Sequence, residues 1–144
     1  MGHEQGAGNV ETICEACINE GVEYLTLYAF STENWRRPTH EVAGLMLLLE
    51  RFLSEKVAMM NKNGVRLAAI GRIADLPGPA RKRLEQAIEE TAHNTRLTLT
   101  LALNYGGRDE IVDAVRSIAT EVLKRTLEPD QITAKTITDH LYTR

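Results

Sequence analysis

The stretch Phe30-Ser31-Thr32-Glu33-Asn34-Trp35-Arg36-Arg37-Pro38 gathers hydroxyls, a carboxylate, an amide, two guanidiniums and the only tryptophan of the chain. Two arginines beside a hydroxyl and an amide can grip a diphosphate through charge-assisted hydrogen bonds. Glu33 and the nearby Glu41 could work with a metal ion or position an arginine. The plainer alternative is that Trp35 packs over Pro38 and both arginines are solvated.

Two other stretches could add to such a site. Gly2-His3-Glu4-Gln5-Gly6-Ala7-Gly8 is dense in glycine and precedes a helix expected over about Asn9–Glu20. Unpaired N–H groups at a helix entrance favour an anion, and His3 there could donate to a phosphate oxygen. Its Gly6-x-Gly8 spacing echoes a dinucleotide fingerprint only in part, with no strand in front. Asn104-Tyr105-Gly106-Gly107-Arg108 reads as a strand-to-helix turn whose glycines let a backbone approach a ligand or another loop. Cys14 and Cys17 form a C-x-x-C, which a redox pair or half a zinc site would use. With Val10, Ile13 and Ile18 they also form the buried stripe of an amphipathic helix, and no second cysteine pair exists to complete a metal site. His40, His93 and His140 have no partners at ligand spacing.

The elements that must position these groups alternate. A strand is expected at Tyr24–Phe30, a long helix at Thr39–Asn61 and a strand at Val65–Ile70. A helix at Ala80–Ala92, a strand at Leu97–Leu103, a helix at Arg108–Leu123 and a short helix near Thr136–Tyr142 follow. The long helix carries Val42, Leu45, Met46, Leu49, Phe52, Leu53, Val57 and Met60 on one stripe, broadened by Leu47 and Leu48. The next-to-last helix is expected to bury Ile111, Val112, Val115, Ile118, Ala119 and Val122. Strands alternating with helices imply an α/β fold, a parallel sheet covered by helices on both faces, in a single domain over residues 1–144. Ligands of such sheets bind beyond the carboxyl ends of the strands, where the Ser31 and Asn104 turns both fall.

Composition sets the outer limits. With 43% hydrophobic and 26% charged residues the chain is of ordinary globular type. A net charge of −3 gives no global basic field for nucleic acid. No apolar run reaches the ~20 residues that span a bilayer. Met1-Gly2-His3-Glu4 does not read as a signal peptide, so the expected location is cytoplasmic, peripheral to a membrane at most. The helix at Asn9 lacks a strand before it and only three strands are counted, so terminal segments of the fold are expected to be missing.

Three stretches, Gly2-His3-x-x-Gly6, Leu25-Thr26-Leu27-Tyr28-Ala29-Phe30-Ser31-Thr32-Glu33-Asn34-Trp35-x-Arg37-Pro38 and Leu103-Asn104-Tyr105-Gly106-Gly107-Arg108-x-Glu110-Ile111, resemble consecutive signature regions of the cis-prenyltransferases. The order and spacing fit the undecaprenyl diphosphate synthase branch from Gly2 to about Thr143. The resemblance implies repeated addition of isopentenyl diphosphate to an allylic diphosphate, farnesyl diphosphate at the start, with Mg²⁺ assistance. The product would be a long cis-polyprenyl diphosphate delivered to the membrane as the lipid carrier for cell-wall glycans, made by a homodimer.

Carried over by residue, the resemblance puts His3 and Arg37 on diphosphate, and Ser31 and Asn34 near the condensing carbons, so that catalysis would fall to Asn34, Ser31 and His3. It puts Trp35 and Glu41 on a mobile loop that closes over substrate. Ala29, Leu45, Leu49, Leu53 and Leu97 would line an apolar tunnel. The family's Asp-Gly-Asn-Gly-Arg-Trp-like stretch, whose aspartate is catalytic and associated with Mg²⁺, has no counterpart here. Nor does its Arg-x-x-Gly-Glu-x-Arg-x-Ser-Asn pattern. The chain by itself is therefore expected to be inactive and to contribute no metal ligand. Two other readings stand beside this one: a non-catalytic partner subunit of a cis-prenyltransferase, and an unrelated phosphate-binding α/β domain.

Overall fold

The computed structural model describes residues 2–143, with side chains from residue 9 onward. His3 therefore has a described backbone, while its side chain lies outside the described set. The first helix, α1, spans Gly2–Asn19, seven residues earlier than the glycine content suggested. The glycine-dense stretch is thus helical, and the expected loop leading into Asn9 is absent. Its other end behaves as expected. Gly21 takes φ +73, its N–H reaches Ile18 O, and the Val22 N–H reaches Cys17 O. These two bonds are the paired closure of a left-handed C-cap. Cys14 and Val10 are buried, Cys17 and Ile18 are half-buried, and Ile13 is exposed rather than part of the stripe.

Strand β1 (Tyr24–Ser31) leads into a 3-10 turn at Thr32–Arg36 and then into α2 (Thr39–Asn63). A second strand, β2 (Val65–Ile70), is followed by a 3-10 turn at Ile73–Asp75 and by α3 (Gly78–Thr91). Strand β3 (Leu97–Tyr105) completes a three-stranded parallel sheet in the order β1-β3-β2. β2 and β3 run in register from Val65 against Leu97 to Ile70 against Ala102. β3 passes two residues beyond its expected end, so Asn104 and Tyr105 are strand rather than turn.

The chain divides into two compact units, Met1–Asn104 and Tyr105–Arg144. In the first, the core joins Phe30 of β1 and Met46, Leu53, Val57 and Met60 of α2. Val65 and Leu67 of β2, Leu84 and Ala87 of α3, and Leu97, Leu99, Leu101 and Leu103 of β3 complete it. α2 has an apolar stripe because residues three and four apart share one side of a helix. Leu45, Leu49 and Phe52 flank that stripe half-buried, while Leu47 is exposed. Polar groups inside the core are paired, as burial requires. Thr91 Oγ1 accepts from Leu67 N at 3.0 Å and donates to Ala87 O at 2.8 Å. Asn94 Nδ2 donates to Asn61 Oδ1 and to Val65 O, each at 2.8 Å.

The second unit holds α4 (Gly107–Leu123), a 3-10 turn at Pro129–Gln131 and α5 (Ala134–His140). Here the apolar pattern found the inward side only in part, with Ile118 buried as expected. Glu110, Ala114 and Ile118 are buried, whereas Ile111, Val112 and Val115 are exposed. A carboxylate can be buried because two donors meet it: Tyr105 Oη at 2.6 Å and Tyr142 N at 2.7 Å. Tyr142 Oη donates in turn to Asp113 Oδ2 at 2.6 Å. His140 holds Glu121 Oε1 at 2.9 Å and Thr136 O at 2.7 Å. It is thus a structural link between α5 and α4.

Candidate functional site at the carboxyl ends of the strands

The stretch singled out for its chemistry leaves the sheet at the carboxyl end of β1. Ser31 closes the strand and starts the 3-10 turn, and its N–H donates to Asn34 Oδ1 at 2.8 Å. The Asn34 carbonyl accepts from Arg37 N at 3.1 Å and so ends the turn. Asn34 therefore shapes the loop with its carbonyl oxygens, which leaves its amide N–H groups as donors. The Glu33 carboxyl is held below the usual carboxylate range, first by a backbone N–H bond, then by the Ser31 side chain and the charge of Arg36. The N–H groups of Glu41 and Val42 both bond Pro38 O, so α2 begins directly behind the loop.

Arg37 Nη1 lies 3.5 Å from Glu41 Oε2, with both side chains 45% exposed. A pair so open to water is worth at most about 1 kcal/mol, so another anion can displace the carboxylate at little cost. Glu41 is thus the resting partner of Arg37. Among the described residues no group of three or more histidine, cysteine or carboxylate side chains is placed to hold a metal ion. Cys14 and Cys17 are free thiols, one buried and one half-buried.

Trp35 joins the loop to the sheet. Its ring meets Phe30 edge to face at a centroid distance of 5.0 Å, and its Nε1 donates to Asn104 Oδ1 at 2.7 Å. The loop after β1 therefore touches the end of β3 through one indole. Asn104 is also tied to the end of β2: its Nδ2 donates to Arg72 O at 3.1 Å, and its carbonyl accepts from Arg72 N at 3.3 Å. Gly71 stands beside this pairing with φ +109, and a Cβ there would lie 2.0 Å from Leu103 O. No residue but glycine fits so close to another backbone. Asn104 belongs to a stretch singled out in the sequence, though without these partners, whereas Gly71 and Arg72 do not. The sequence signals are the Asn-Tyr-Gly-Gly run, which reads as a turn, and a glycine directly after a strand.

The remaining expected contacts scatter along the first unit. Ala29 is exposed next to the loop, and Leu49 is half-buried on α2. Leu53 and Leu97 are 0% and 1% exposed and sit inside the closed core. Leu97 lies at the opposite end of β3 from Asn104.

A parallel α/β sheet thus carries arginine, amide, hydroxyl and indole groups at its carboxyl edge, where ligands of such sheets bind. The family model described as "Putative undecaprenyl diphosphate synthase" matches residues 1–144. The chain belongs to this family, the cis-prenyltransferases. It is 49% identical to an isoprenyl transferase of Heliobacterium mobile over 142 residues, covering 99% of this chain and 55% of that protein. It is 43% identical to one of Clostridium perfringens, covering 100% of this chain and 57% of that protein. A crystal structure of lavandulyl diphosphate synthase from Lavandula x intermedia, in complex with dimethylallyl diphosphate, superposes with a TM-score of 0.93 at 33% identity. It matches 99% of this chain and 61% of its own. A protein described as a probable undecaprenyl diphosphate synthase from Campylobacter jejuni gives 0.81 at 37% identity, over 96% of this chain and 63% of its own. The chain thus spans somewhat more than half the length of these relatives.

Proposed function

We propose that this chain carries the allylic-diphosphate side of a cis-prenyltransferase site, which adds isopentenyl diphosphate to farnesyl diphosphate and its longer products. The observation that carries this reading is the Ser31–Pro38 loop, set at the carboxyl edge of the sheet with Arg37 in an exchangeable ion pair. In this reading Arg37 leaves Glu41 and takes the diphosphate, holding its charge as the carbon–oxygen bond breaks. The Asn34 amide and the Ser31 hydroxyl lie beside the reacting carbons, where one of them can receive and pass on the departing proton. His3 adds a diphosphate contact. Trp35 and Glu41 close over the substrate and keep water from an electron-poor carbon. The prenyl chain runs past Ala29 and Leu49. Leu53 and Leu97, packed shut in the core, join its path only if the core opens around the lipid.

The family resemblance supplies the rest: Mg²⁺ accompanying the diphosphates, a homodimer, a cytoplasmic site, and a product that serves as the lipid carrier for cell-wall glycans. No step above is routed through the metal. No described helix is long and apolar enough to cross a membrane. The test is equilibrium binding of labelled farnesyl diphosphate to the 144-residue chain and to its Arg37→Ala variant. Saturable binding that the substitution weakens supports the reading, and equal binding by both proteins overturns it. Supplied with both diphosphates and Mg²⁺, the chain alone is expected to form no product.

A further inference from the structure

The amide of Asn104 has a fixed orientation for a chemical reason. An indole N–H can only donate and a peptide carbonyl can only accept. Trp35 Nε1 at 2.7 Å must therefore face Oδ1, and Arg72 O at 3.1 Å must face Nδ2. No other side chain of this length presents an acceptor and a donor in one plane. The residue is 4% exposed, so neither bond is readily replaced by water. Its backbone sits at φ +49, a left-handed conformation that asparagine tolerates better than most residues other than glycine. Two independent demands, one on the side chain and one on the backbone, thus select asparagine here.

We propose that Asn104 is the positioning residue of the site. It latches the Thr32–Arg36 turn to the sheet through the Trp35 indole, and breaking that bond releases the loop that carries Arg37. The two ends of the latch differ. On the Arg72 side it is doubled, by Nδ2 to Arg72 O and by Arg72 N to Asn104 O. On the loop side Asn104 holds the indole by a side-chain hydrogen bond, beside the edge contact of Trp35 with Phe30. The latch therefore parts at Trp35 and leaves Asn104 in place, ready to receive the indole again. Its bearing on substrate rests on the proposed function; its existence does not.

Because Trp35 is the only tryptophan, its emission reports the latch directly. Asn104→Gly keeps the left-handed backbone and removes both side-chain bonds. Asn104→Asp keeps an acceptor for the indole and loses the donor to Arg72. With far-UV circular dichroism unchanged, Asn104→Gly is expected to red-shift Trp35 emission and raise its quenching by acrylamide. Asn104→Asp is expected to restore most of the wild-type signal. An Asn104→Gly protein that is folded and has wild-type emission and quenching overturns the proposal.

If Asn104→Gly does not fold, Trp35→Phe tests the same bond from the other side. Trypsin cleavage after Arg36 should quicken by about threefold to tenfold, the population change that one hydrogen bond is worth; an unchanged rate overturns the latch. Neither readout uses a substrate, so the latch and the diphosphate site stand or fall separately.

Discussion

The turns that follow β1 and β2 lie at the same edge of the sheet and are held in opposite ways. The β2 turn is fixed by backbone: Gly71 lies against Leu103 O, and Arg72 exchanges bonds with Asn104. The β1 turn is folded largely on itself, through Ser31 N to Asn34 Oδ1 and Asn34 O to Arg37 N. Its links to the strands include the Trp35 indole bond and the edge contact with Phe30. Opening a backbone-paired turn disturbs two strands, whereas each of these side-chain links is worth about one hydrogen bond or one aromatic contact. A sheet edge can thus provide a rigid floor and a movable cover with two turns of similar length.

This contrast can be broken at its rigid side first. Gly71→Ala places a Cβ against Leu103 O at a positive φ, and is expected to lower stability by about 2–4 kcal/mol. Urea denaturation measures it; a loss below 1 kcal/mol would mean that the β2 turn yields as readily as the other. On the movable side, Arg37→Ala should leave stability within about 0.5 kcal/mol, since its ion pair is open to water. It should weaken farnesyl diphosphate binding by about tenfold to a hundredfold, the worth of lost charge-assisted bonds. Glu41→Gln frees Arg37 and is expected to tighten binding by no more than about fivefold, again the scale of an exposed pair.

The smallest effect concerns pH. The Glu33 carboxyl titrates below its ordinary value in the folded turn. The stabilisation that this brings is whole above the ordinary carboxylate value and fades as pH falls through the lowered one. Acid should therefore loosen the β1 turn before it unfolds the sheet, seen as a red shift of Trp35 emission that precedes the loss of far-UV signal. Glu33→Gln should abolish that early step; its persistence would place the acid sensitivity elsewhere.

What the sequence made legible follows from the range of the interactions involved. α2 was readable because its stripe repeats over many turns, and β2 matched residue for residue because Gly64 and Gly71 bracket a short apolar run. The Ser31–Pro38 loop announced itself by residue type alone. α4 was only partly readable because periodicity counts apolar residues, whereas Glu110 is drawn inward by Tyr105 and Tyr142, the latter 32 positions along the chain. The role of Asn104 was hidden for the same reason. Its partners, Trp35 and Arg72, are 69 and 32 residues away, and a local pattern of Asn, Tyr and two glycines reads as a turn. The helical start of α1 at Gly2 went against glycine's poor propensity.

The two thiols of α1 extend this picture to a part of the chain far from the loop in sequence. Cys14 is fully enclosed, and burial, reinforced by Cys17, Glu11 and Glu15, pushes its thiol up to about 11. An alkylating reagent at neutral pH therefore meets Cys17 first and reaches Cys14 only in molecules whose first helix has lifted. The ratio of doubly to singly labelled protein over time counts those openings. The C-x-x-C pair is in effect a built-in clock for the undocking of α1, readable by mass spectrometry without introducing a probe.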